Sequence, residues 1–531
     1  MIGKFGSKIK SSLIFFRLPI LSGILIGTSF IPFPPWASFF GFVPLWYFWW
    51  RNPNPRHCFW GGWVTSFILT LIGFHWVAHT VHEFGHMPLA VALIVLVLFC
   101  AVGHLHFALA GLIWAWLAGK RRSQVASWIP LLLLPVVSTL CERYFPMIFV
   151  WNFGYTWMYS GLPFYQMAEL IGFEGLSAWT IFTNLAFFIP VLKGHRHFRH
   201  WRLAAVAILM FLIANGWGAY LLHRLPKPDK EVGILVIQAN IGNLEKQYAE
   251  KGWGFRDHII SRYTNLTLEG LEQNPREQID FALWPETAFP DQIKAHNLSL
   301  GYARRLISFL QGQSLALVTG SYSEDQKQGK VTNSLFSFNA QGELTDPQYN
   351  KTLLLAFGEY IPFGEQFPIL KTWLKEVADF ARGSGPSLLN QGEVRLGAQI
   401  CYEGLFPAFS KGLADLGAHL IVNVTNDSWY GKSSEPYQHM YMTLARAIEF
   451  RRPVVRSTNT GFTTAVTAGG DIMTRSPLHV EWHHLYRIPY LSEPPVTFFQ
   501  KFGIHLVPGL LWLLFVIASG GLFYRVQLGK H

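Results

Sequence analysis

Charge is scarce in this chain: 14% of its 531 residues are Asp, Glu, Lys or Arg, against 50% that are hydrophobic. That excludes a disordered chain, which needs high charge and few large apolar groups to stay open. Cysteine is scarcer still, with 4 in all, so a disulfide scaffold is excluded. Cys58, Cys100 and Cys141 sit in or beside apolar runs, where the residue behaves as a small hydrophobe. Cys401 stands apart in a long polar segment, in "GAQICYEGLF", with no other cysteine there to pair with. Internal repeats and low-complexity tracts are missing too, which removes solenoids and linker-like architectures. What the chain has instead is aromatic residues, 16% of it with 21 Trp, and long apolar runs.

A membrane-crossing helix needs about 20 mostly apolar residues. Candidate runs lie near 12–30, 36–50, 58–79, 88–118, 125–142, 162–192, 203–223 and 498–523. The expected architecture is a membrane α-helical bundle of eight spans: 1–224 holds spans one to seven, 225–495 forms a non-membrane domain, and 496–531 carries the eighth span and a cytoplasmic C-terminus. Basic clusters at Lys4/Lys8/Lys10, Arg51/Arg56, Lys120/Arg121/Arg122, Lys193/Arg196/Arg199/Arg202 and Arg525/Lys530 fall on alternate loops, while 80–88 and 143–161 are poor in Lys and Arg. Basic loops stay cytoplasmic, so 225–495 is expected outside the cytoplasmic membrane. The same clusters account for much of the net charge of +11, which leaves no case for a nucleic-acid partner. The first run leads into Pro32, Pro34 and Pro35 without a small-residue cleavage site, and reads as a retained span rather than a signal peptide.

Between 225 and 495 the periodicity changes to that of a soluble α/β protein. Runs at 232–241, 281–287, 315–322, 333–339, 395–403 and 419–427 have strand character, and helical stretches lie near 255–273, 300–312 and 437–450. Several of the strand runs are apolar throughout, as strands covered on both faces are. "PKPDKE" (226–231) is the linker into this domain.

Polar residues stand abruptly at the ends of the buried runs: Glu286 in "LWPETAFP", Lys351, Glu359 and Glu365 in "QYNKTLLLAFGEYIPFGE", Cys401 and Glu403 in "QICYEG". Strand ends are where α/β folds gather their sites. Each residue alone has an ordinary reading, as a helix cap, a solvated charge or an inert core thiol. Together, a Glu, a Lys and a Cys suffice for acyl transfer: the cysteine attacks, the carboxylate takes and returns protons, and the ammonium stabilises the oxyanion and helps to lower the thiol pKa.

That order, Glu286 in "WPE", Lys351 in "YNKTLL" and Cys401 in "CYE", resembles the carbon–nitrogen hydrolase, or nitrilase, superfamily with its Glu-Lys-Cys triad. "NVTNDSWYG" (423–431) and "HMYMTLARAIEFRRPVVRSTNTG" (439–461) are similar to motifs that follow the cysteine there. Eight spans bracketing such a domain narrow the resemblance to the bacterial apolipoprotein N-acyltransferase family. The resemblance implies a nitrilase-like α-β-β-α sandwich and a two-step reaction in the periplasm, with no cofactor and no metal. Cys401 would take an acyl chain from a phospholipid, typically the sn-1 chain of phosphatidylethanolamine. The amine of a diacylglyceryl-modified N-terminal cysteine on an apolipoprotein would then attack the thioester. It also implies Glu286 as general base, Lys351 as oxyanion stabiliser, Glu359 and Glu403 as supporting carboxylates, and Tyr402 as a shaper of the site through its backbone N–H. One departure is visible: after the first strand the chain reads "NIGNLEKQ", with Gly242 where the family commonly has proline and Gln247 where it has tryptophan.

Substrates with acyl chains require a site open to lipid. "TLLLAFGEYIPFGEQFPIL" (352–370) has an apolar excess unusual for a solvated loop, and Phe357, Tyr360 and Phe363 around Glu359 are expected to form a lid that meets lipid and excludes water. Trp429 is a further candidate lipid contact. A competing pattern is His82-Glu83-Phe84-Gly85-His86, which fits H-E-x-x-H for zinc and would make an intramembrane metalloprotease. Gly85 and Pro88 disfavour the single helix it needs, so an interfacial histidine loop, including His75 and His79, is the expectation. A membrane-tethered amidase acting on a small amide is the alternative that keeps the triad, but eight spans exceed what an anchor requires.

Overall fold

The computed structural model describes residues 12–83, 85–119, 128–194, 198–242, 254–275, 278–294, 297–325, 329–373 and 378–528. Lys4, Lys8, Lys10, Phe84, Lys120, Arg121, Arg122, Arg196, Gln247 and Lys530 lie outside them. The chain separates into two compact units, Met1–Arg224 with Lys501–His531, and Leu225–Gln500. The second runs a few residues past the expected 495 because Phe499 packs on Phe450 at 5.7 Å and Gln500 Nε2 donates to Asp415 Oδ1 at 2.9 Å.

Four segments among the described residues are long and apolar enough to cross a membrane: Leu89–Leu117, Pro163–Lys193, Arg199–His223 and Phe499–Leu522. The run expected at 58–79 is a pair of helices, Pro55–Gly73 and Trp76–Glu83, bent by 60°. Asn54 caps the first of these, accepting from Arg56 N at 2.9 Å, with Pro55 in its first turn. The other three expected spans are shorter helices. Arg17–Gly27 has 11 residues, Trp128–Tyr144 has 17 with Pro135 inside, and Val43–Arg51 has 9. The run at 36–50 is cut short because Asn184 holds its first half in turns, donating to Ser38 O at 2.8 Å and accepting from Phe42 N at 2.9 Å. Leu93, Ile94, Val97, Leu98 and Val102 are exposed on one helix, as a lipid-facing surface requires.

The second unit stacks two sheets. One runs β12-β1-β2-β4-β5-β6, with β3 beside β4: β1 is Lys230–Gln238, β2 Phe281–Leu283, β3 Phe289–Gln292, β4 Leu317–Asp325, β5 Lys330–Phe338, β6 Tyr349–Asn350 and β12 Trp482–Tyr490. The other runs β11-β10-β9-β8-β7: β7 is Leu388–Gln391, β8 Val394–Ile400, β9 Leu420–Thr425, β10 Val454–Thr458 and β11 Thr464–Val466. Helices Phe255–Gln273 and Gly301–Gln313 cover the first sheet, burying Ile259, Tyr263, Leu266, Leu306 and Leu310 against Leu235, Ile237, Ala282 and Trp284. Pro407–Asp415 and Glu435–Leu444 pack on the second sheet. The sheets meet face to face, with Ser457 Oγ donating to Leu283 O at 3.3 Å and Thr458 Oγ1 to Gln238 Oε1 at 3.1 Å. The layers are helix, sheet, sheet, helix. β8, β9 and β10 are parallel, with Ile400 opposite Val424 and Thr458 opposite Thr425, so their C-terminal ends open at one edge.

Candidate active site

β2 stops at Leu283, and the chain turns through Trp284 and Pro285 to bring Glu286, buried, to the sheet end. Gly320 on β4 allows this turn: a Cβ there would lie 2.7 Å from Glu286 Cα. Glu286 Oε1 accepts from Asn333 Nδ2 at 2.7 Å and from Lys351 Nζ at 3.3 Å, and Oε2 accepts from Asn426 N at 2.8 Å. Lys351 follows β6, only 1% exposed. Its backbone is fixed at both ends, N donating to Asn333 O and O accepting from Gly383 N, each at 2.8 Å. Lys351 Nζ also donates to Glu359 Oε1 at 2.7 Å, and Glu359 Oε2 accepts from Leu355 N at 2.9 Å. One ammonium therefore lies between two carboxylates. Burial by itself would pull the Lys351 pKa down, but Glu286 and Glu359 outweigh it and hold it well above 10.5.

Cys401 comes directly after β8 with φ +53°, a left-handed conformation that non-glycine residues rarely adopt. It is buried, and Glu286 and Lys351 both lie near enough to act on its charge. Burial pushes the thiol well above its ordinary range and Glu286 adds to that; Lys351 opposes both without overcoming them. The expected lowering of the thiol pKa by the ammonium is thus present but overridden. Together these influences favour the protonated thiol, with Glu286 as a neighbouring carboxylate.

Glu403 is placed differently from Glu359. Its oxygens accept from Tyr349 Oη at 2.7 Å, Thr352 N at 2.6 Å, Leu353 N at 3.0 Å and Ile400 N at 2.8 Å, so it braces the Cys401 turn against the chain leaving Lys351. Burial pushes its pKa up to about 7 against those donors. Tyr402 lies in the turn after Cys401 with its ring edge-on to Phe406 at 5.0 Å. Phe357 and Phe363 are 51% and 70% exposed. Tyr360 is half-buried beneath the Arg382 guanidinium, 4.6 Å from its ring centre. Trp429 is partly exposed in the turn after β9.

The sequence reading missed Asn333, Asn426 and a buried group formed by Asp427, His439 and Arg456. Arg456 Nη2 donates to Asp427 Oδ2 at 2.6 Å, and Asp427 Oδ1 lies 2.9 Å from His439 Nδ1. The guanidinium and imidazole hold the Asp427 carboxyl well below the usual range although burial opposes them. The signal was available: an arginine inside the apolar strand "VVRST" has to be paired. Asp427, Glu435 and His439 offer three ligand atoms within 4.8 Å of one another. Arg456 Nη2, 3.1 Å from His439 Nδ1, already supplies the cation, so the group does not fit a metal ion. The His82-Glu83 pattern fits no better. Its helix ends at Glu83, His86 has φ +48°, and His82 Nδ1 is engaged with Met87 O at 2.8 Å.

A two-sheet sandwich with a glutamate, a lysine and a cysteine gathered at its strand ends defines a carbon–nitrogen hydrolase type of domain, and residues 237–491 match the family profile described as carbon–nitrogen hydrolase. Residues 22–186 match a second, the apolipoprotein N-acyltransferase N-terminal domain. An apolipoprotein N-acyltransferase of Bdellovibrio bacteriovorus is 48% identical over 97% of this chain and 94% of its own. One of Geobacter metallireducens is 30% identical over 88% of each. The chain belongs to the apolipoprotein N-acyltransferase family. Among solved structures, the amidase from Nesterenkonia sp. AN1 is similar at 19% identity, covering 52% of this chain and 99% of its own, with a TM-score of 0.36, too low to add to the argument.

Proposed function

We propose that the protein, an N-acyltransferase of the bacterial inner membrane, moves one acyl chain from a phospholipid to the N-terminal amine of a lipoprotein through a thioester on Cys401. Glu286 takes the thiol proton as sulfur bonds to the ester carbonyl carbon of the donor. Lys351 faces the oxyanion, together with the backbone N–H of Tyr402, and the ester C–O bond breaks as Glu286 returns the proton to the leaving lysophospholipid oxygen. In the second half the amine of the diacylglyceryl cysteine attacks, the C–S bond breaks, and the amine proton passes through Glu286 back to sulfur. Glu359 neutralises Lys351 from its far side and so fixes its direction.

The observation that carries this reading is the Glu286–Lys351–Glu359 row beside Cys401, its ammonium buried, with Phe357 and Phe363 exposed on the segment that leaves Lys351. That segment is the lid, meeting the outer leaflet with Phe357, Tyr360 and Phe363, and Trp429 in the turn after β9 is a further lipid contact. A closed lid excludes water and favours aminolysis of the thioester over hydrolysis. Phosphatidylethanolamine is the proposed donor. The proposed arrangement keeps eight membrane crossings, short or bent helices included, with 225–495 on the periplasmic side; a membrane-impermeant label reaching that domain in intact spheroplasts checks the side. Glu403 acts as a brace.

The experiment is intact-protein mass after exposure to phosphatidylethanolamine vesicles. The expected result is a gain of one acyl chain, released by neutral hydroxylamine and absent from Cys401→Ala. No adduct on the folded wild type sinks the thioester and turns the reading to hydrolysis of a small amide.

A further inference from the structure

Residues 380–383 run beside the chain that leaves Lys351 and fasten it at three points. Phe380 N donates to Glu359 O at 3.1 Å, Arg382 Nη1 to Thr352 O at 3.2 Å, and Gly383 N to Lys351 O at 2.8 Å. The approach is close enough to need glycine, since a Cβ on Gly383 would lie 1.9 Å from Asn350 O. Of the four residues only Arg382 is exposed. Its guanidinium stands over the backbone from which the buried Lys351 side chain reaches inward.

That guanidinium is fixed on two sides. One face covers the Tyr360 ring, with Cζ 4.6 Å from the ring centre, and the Nη1 edge is held by Thr352 O. Nε and Nη2 meet no acceptor among the described residues. The acidic groups on the same two stretches of chain are taken by other cations: Glu359 by Lys351 at 2.7 Å, Asp379 by Lys330 at 3.1 Å and Lys371 at 3.0 Å, with Glu365 3.9 Å from Lys330. A guanidinium that lies flat on an aromatic ring, with one edge open and no carboxylate partner among the described residues, presents the fork that grips a phosphate through two N–H donors.

The geometry points to Arg382 as the receptor that grips the phosphodiester of the phospholipid donor bidentately. The reacting ester and the phosphate of a glycerophospholipid hang on one glycerol, so an ester seated between Cys401 and Lys351 brings the phosphate out where Arg382 stands over the base of Lys351. The exposed rings of Phe357 and Phe363 on the same segment suit the acyl chains and not the phosphate. The diacylglyceryl group of the acceptor carries no phosphate. Arg382 thus serves the first half of the reaction, telling a phospholipid from a neutral glycerolipid, and takes no part in the second. It reads the phosphodiester itself, which phosphatidylethanolamine and phosphatidylglycerol share, and does not choose between them.

This inference deepens the reading of a phospholipid as acyl donor to Cys401, and an assay without acyl transfer keeps the two claims apart. Dialkyl ether lipids have no ester carbonyl to attack, so their binding is read as protection of Cys401 from iodoacetamide in the full-length protein, in phosphate-free buffer. The probes are detergent micelles carrying a dialkyl glycerophosphoethanolamine or the dialkylglycerol with the same chains. Wild type is expected to be half-protected at roughly tenfold less phospholipid than dialkylglycerol, the effect of hydrogen bonds to one charged group. Arg382→Gln is expected to need roughly tenfold more phospholipid than wild type, while its dialkylglycerol requirement and its unprotected alkylation rate stay as in wild type. Arg382→Lys keeps the charge without the fork and is expected to fall between the two.

The same phospholipid requirement in wild type and Arg382→Gln overturns the inference, and is also what a site for free phosphate would give in this buffer. An equal rise for both lipids overturns it too, by making Arg382 a strut of the lid through Tyr360 and Thr352, as does an ether phospholipid that protects wild type at no concentration. If Arg382→Gln fails to fold, Arg382→Lys decides: losing part of the phospholipid preference supports the bidentate grip, and keeping all of it overturns that grip. If phosphatidylethanolamine never acylates Cys401 in wild type, the thioester reading fails, and the ether-lipid preference still judges Arg382.

Discussion

Lys351 and Phe363 are close neighbours in sequence with opposite fates: the ammonium is 1% exposed and the aromatic ring 70% exposed. In the pocket, charge is inside and fully paired. On the segment that follows, Phe357, Phe363, Phe367 and Ile369 are exposed. Ordinary burial runs the other way, since a lysine is almost never fully buried unless paired and a contiguous exposed apolar patch marks a surface that meets something else. The contrast teaches that the two regions are built by opposite rules: the pocket is an interior in which every charge needs a partner, and the segment leaves its apolar groups outside, as the proposed contact with lipid requires.

The strongest way to break the contrast is to remove the buried cation. Lys351→Ala leaves Glu286 and Glu359 facing each other without it, and breaking a buried pair from one side costs about 3–5 kcal/mol. Acyl transfer is expected to be lost altogether, with an unfolding midpoint in denaturant well below that of wild type. Glu286→Gln is milder for the fold, because the amide keeps shape and Lys351 keeps Glu359. Loss of the general base is expected to lower acylation by about 10²–10⁴-fold in single-turnover assays. Retention of wild-type rate would remove Glu286 from its role.

The resting thiol supplies a pH test. Burial and Glu286 raise the Cys401 pKa above its ordinary 9.0. Across pH 6–9 the protonated form therefore dominates, and the thiolate fraction climbs with pH throughout that window. Alkylation of Cys401 by iodoacetamide is expected to rise with pH through pH 9 without levelling, and at pH 8 to run slower than that of a free thiol. A plateau near pH 7 would mean that Lys351 wins after all and that the nucleophile rests as a thiolate.

How much of this was legible in the residues varies by layer. Helix 255–273 falls where the periodicity placed it, β9 lies within the run that announced it, and β1 and β8 overlap theirs but begin two residues and one residue earlier. β10 and β12 went unread: Arg456 interrupts the apolar pattern of the first, while the second is only half-buried and carries His483, His484 and Arg487. β6 has two residues, too few for any pattern. Glu286, Lys351 and Cys401 stand out at the ends of apolar runs, but only their order together made them a candidate triad. Asn333 and Asn426 were not, because amides at strand ends usually serve turns. The membrane segments were legible as apolar runs but not as straight spans: hydropathy does not register Asn184 pinning 36–42 into turns, or the break between Gly73 and Trp76.

The lid half of the comparison is tested from the surface. Phe363→Asp puts a charge where the ring is 70% exposed, so folding stability is expected to stay within about 0.5 kcal/mol. Acylation from vesicles is expected to fall about tenfold, the effect of losing one aromatic side chain's transfer into lipid. Equal losses on vesicles and on a soluble short-chain ester would place the defect in the pocket instead.

Phe357 separates the shape of the lid from its greasiness, at the smallest expected cost. Its φ of +62° is tied by its N–H donating to Tyr360 O at 2.9 Å, and a left-handed non-glycine residue stores about 1–2 kcal/mol. Phe357→Gly releases that strain but gives back about 0.4–1 kcal/mol through the greater freedom of the unfolded chain, so stability is expected to change by less than about 1 kcal/mol. Phe357→Leu keeps an apolar side chain and the strain. If the lid acts through its apolar surface, the leucine variant works on vesicles nearly as well as wild type and the glycine variant a few-fold worse. If glycine matches wild type and leucine does not, the backbone turn around Glu359 is what matters, and the exposed ring is not what meets the lipid.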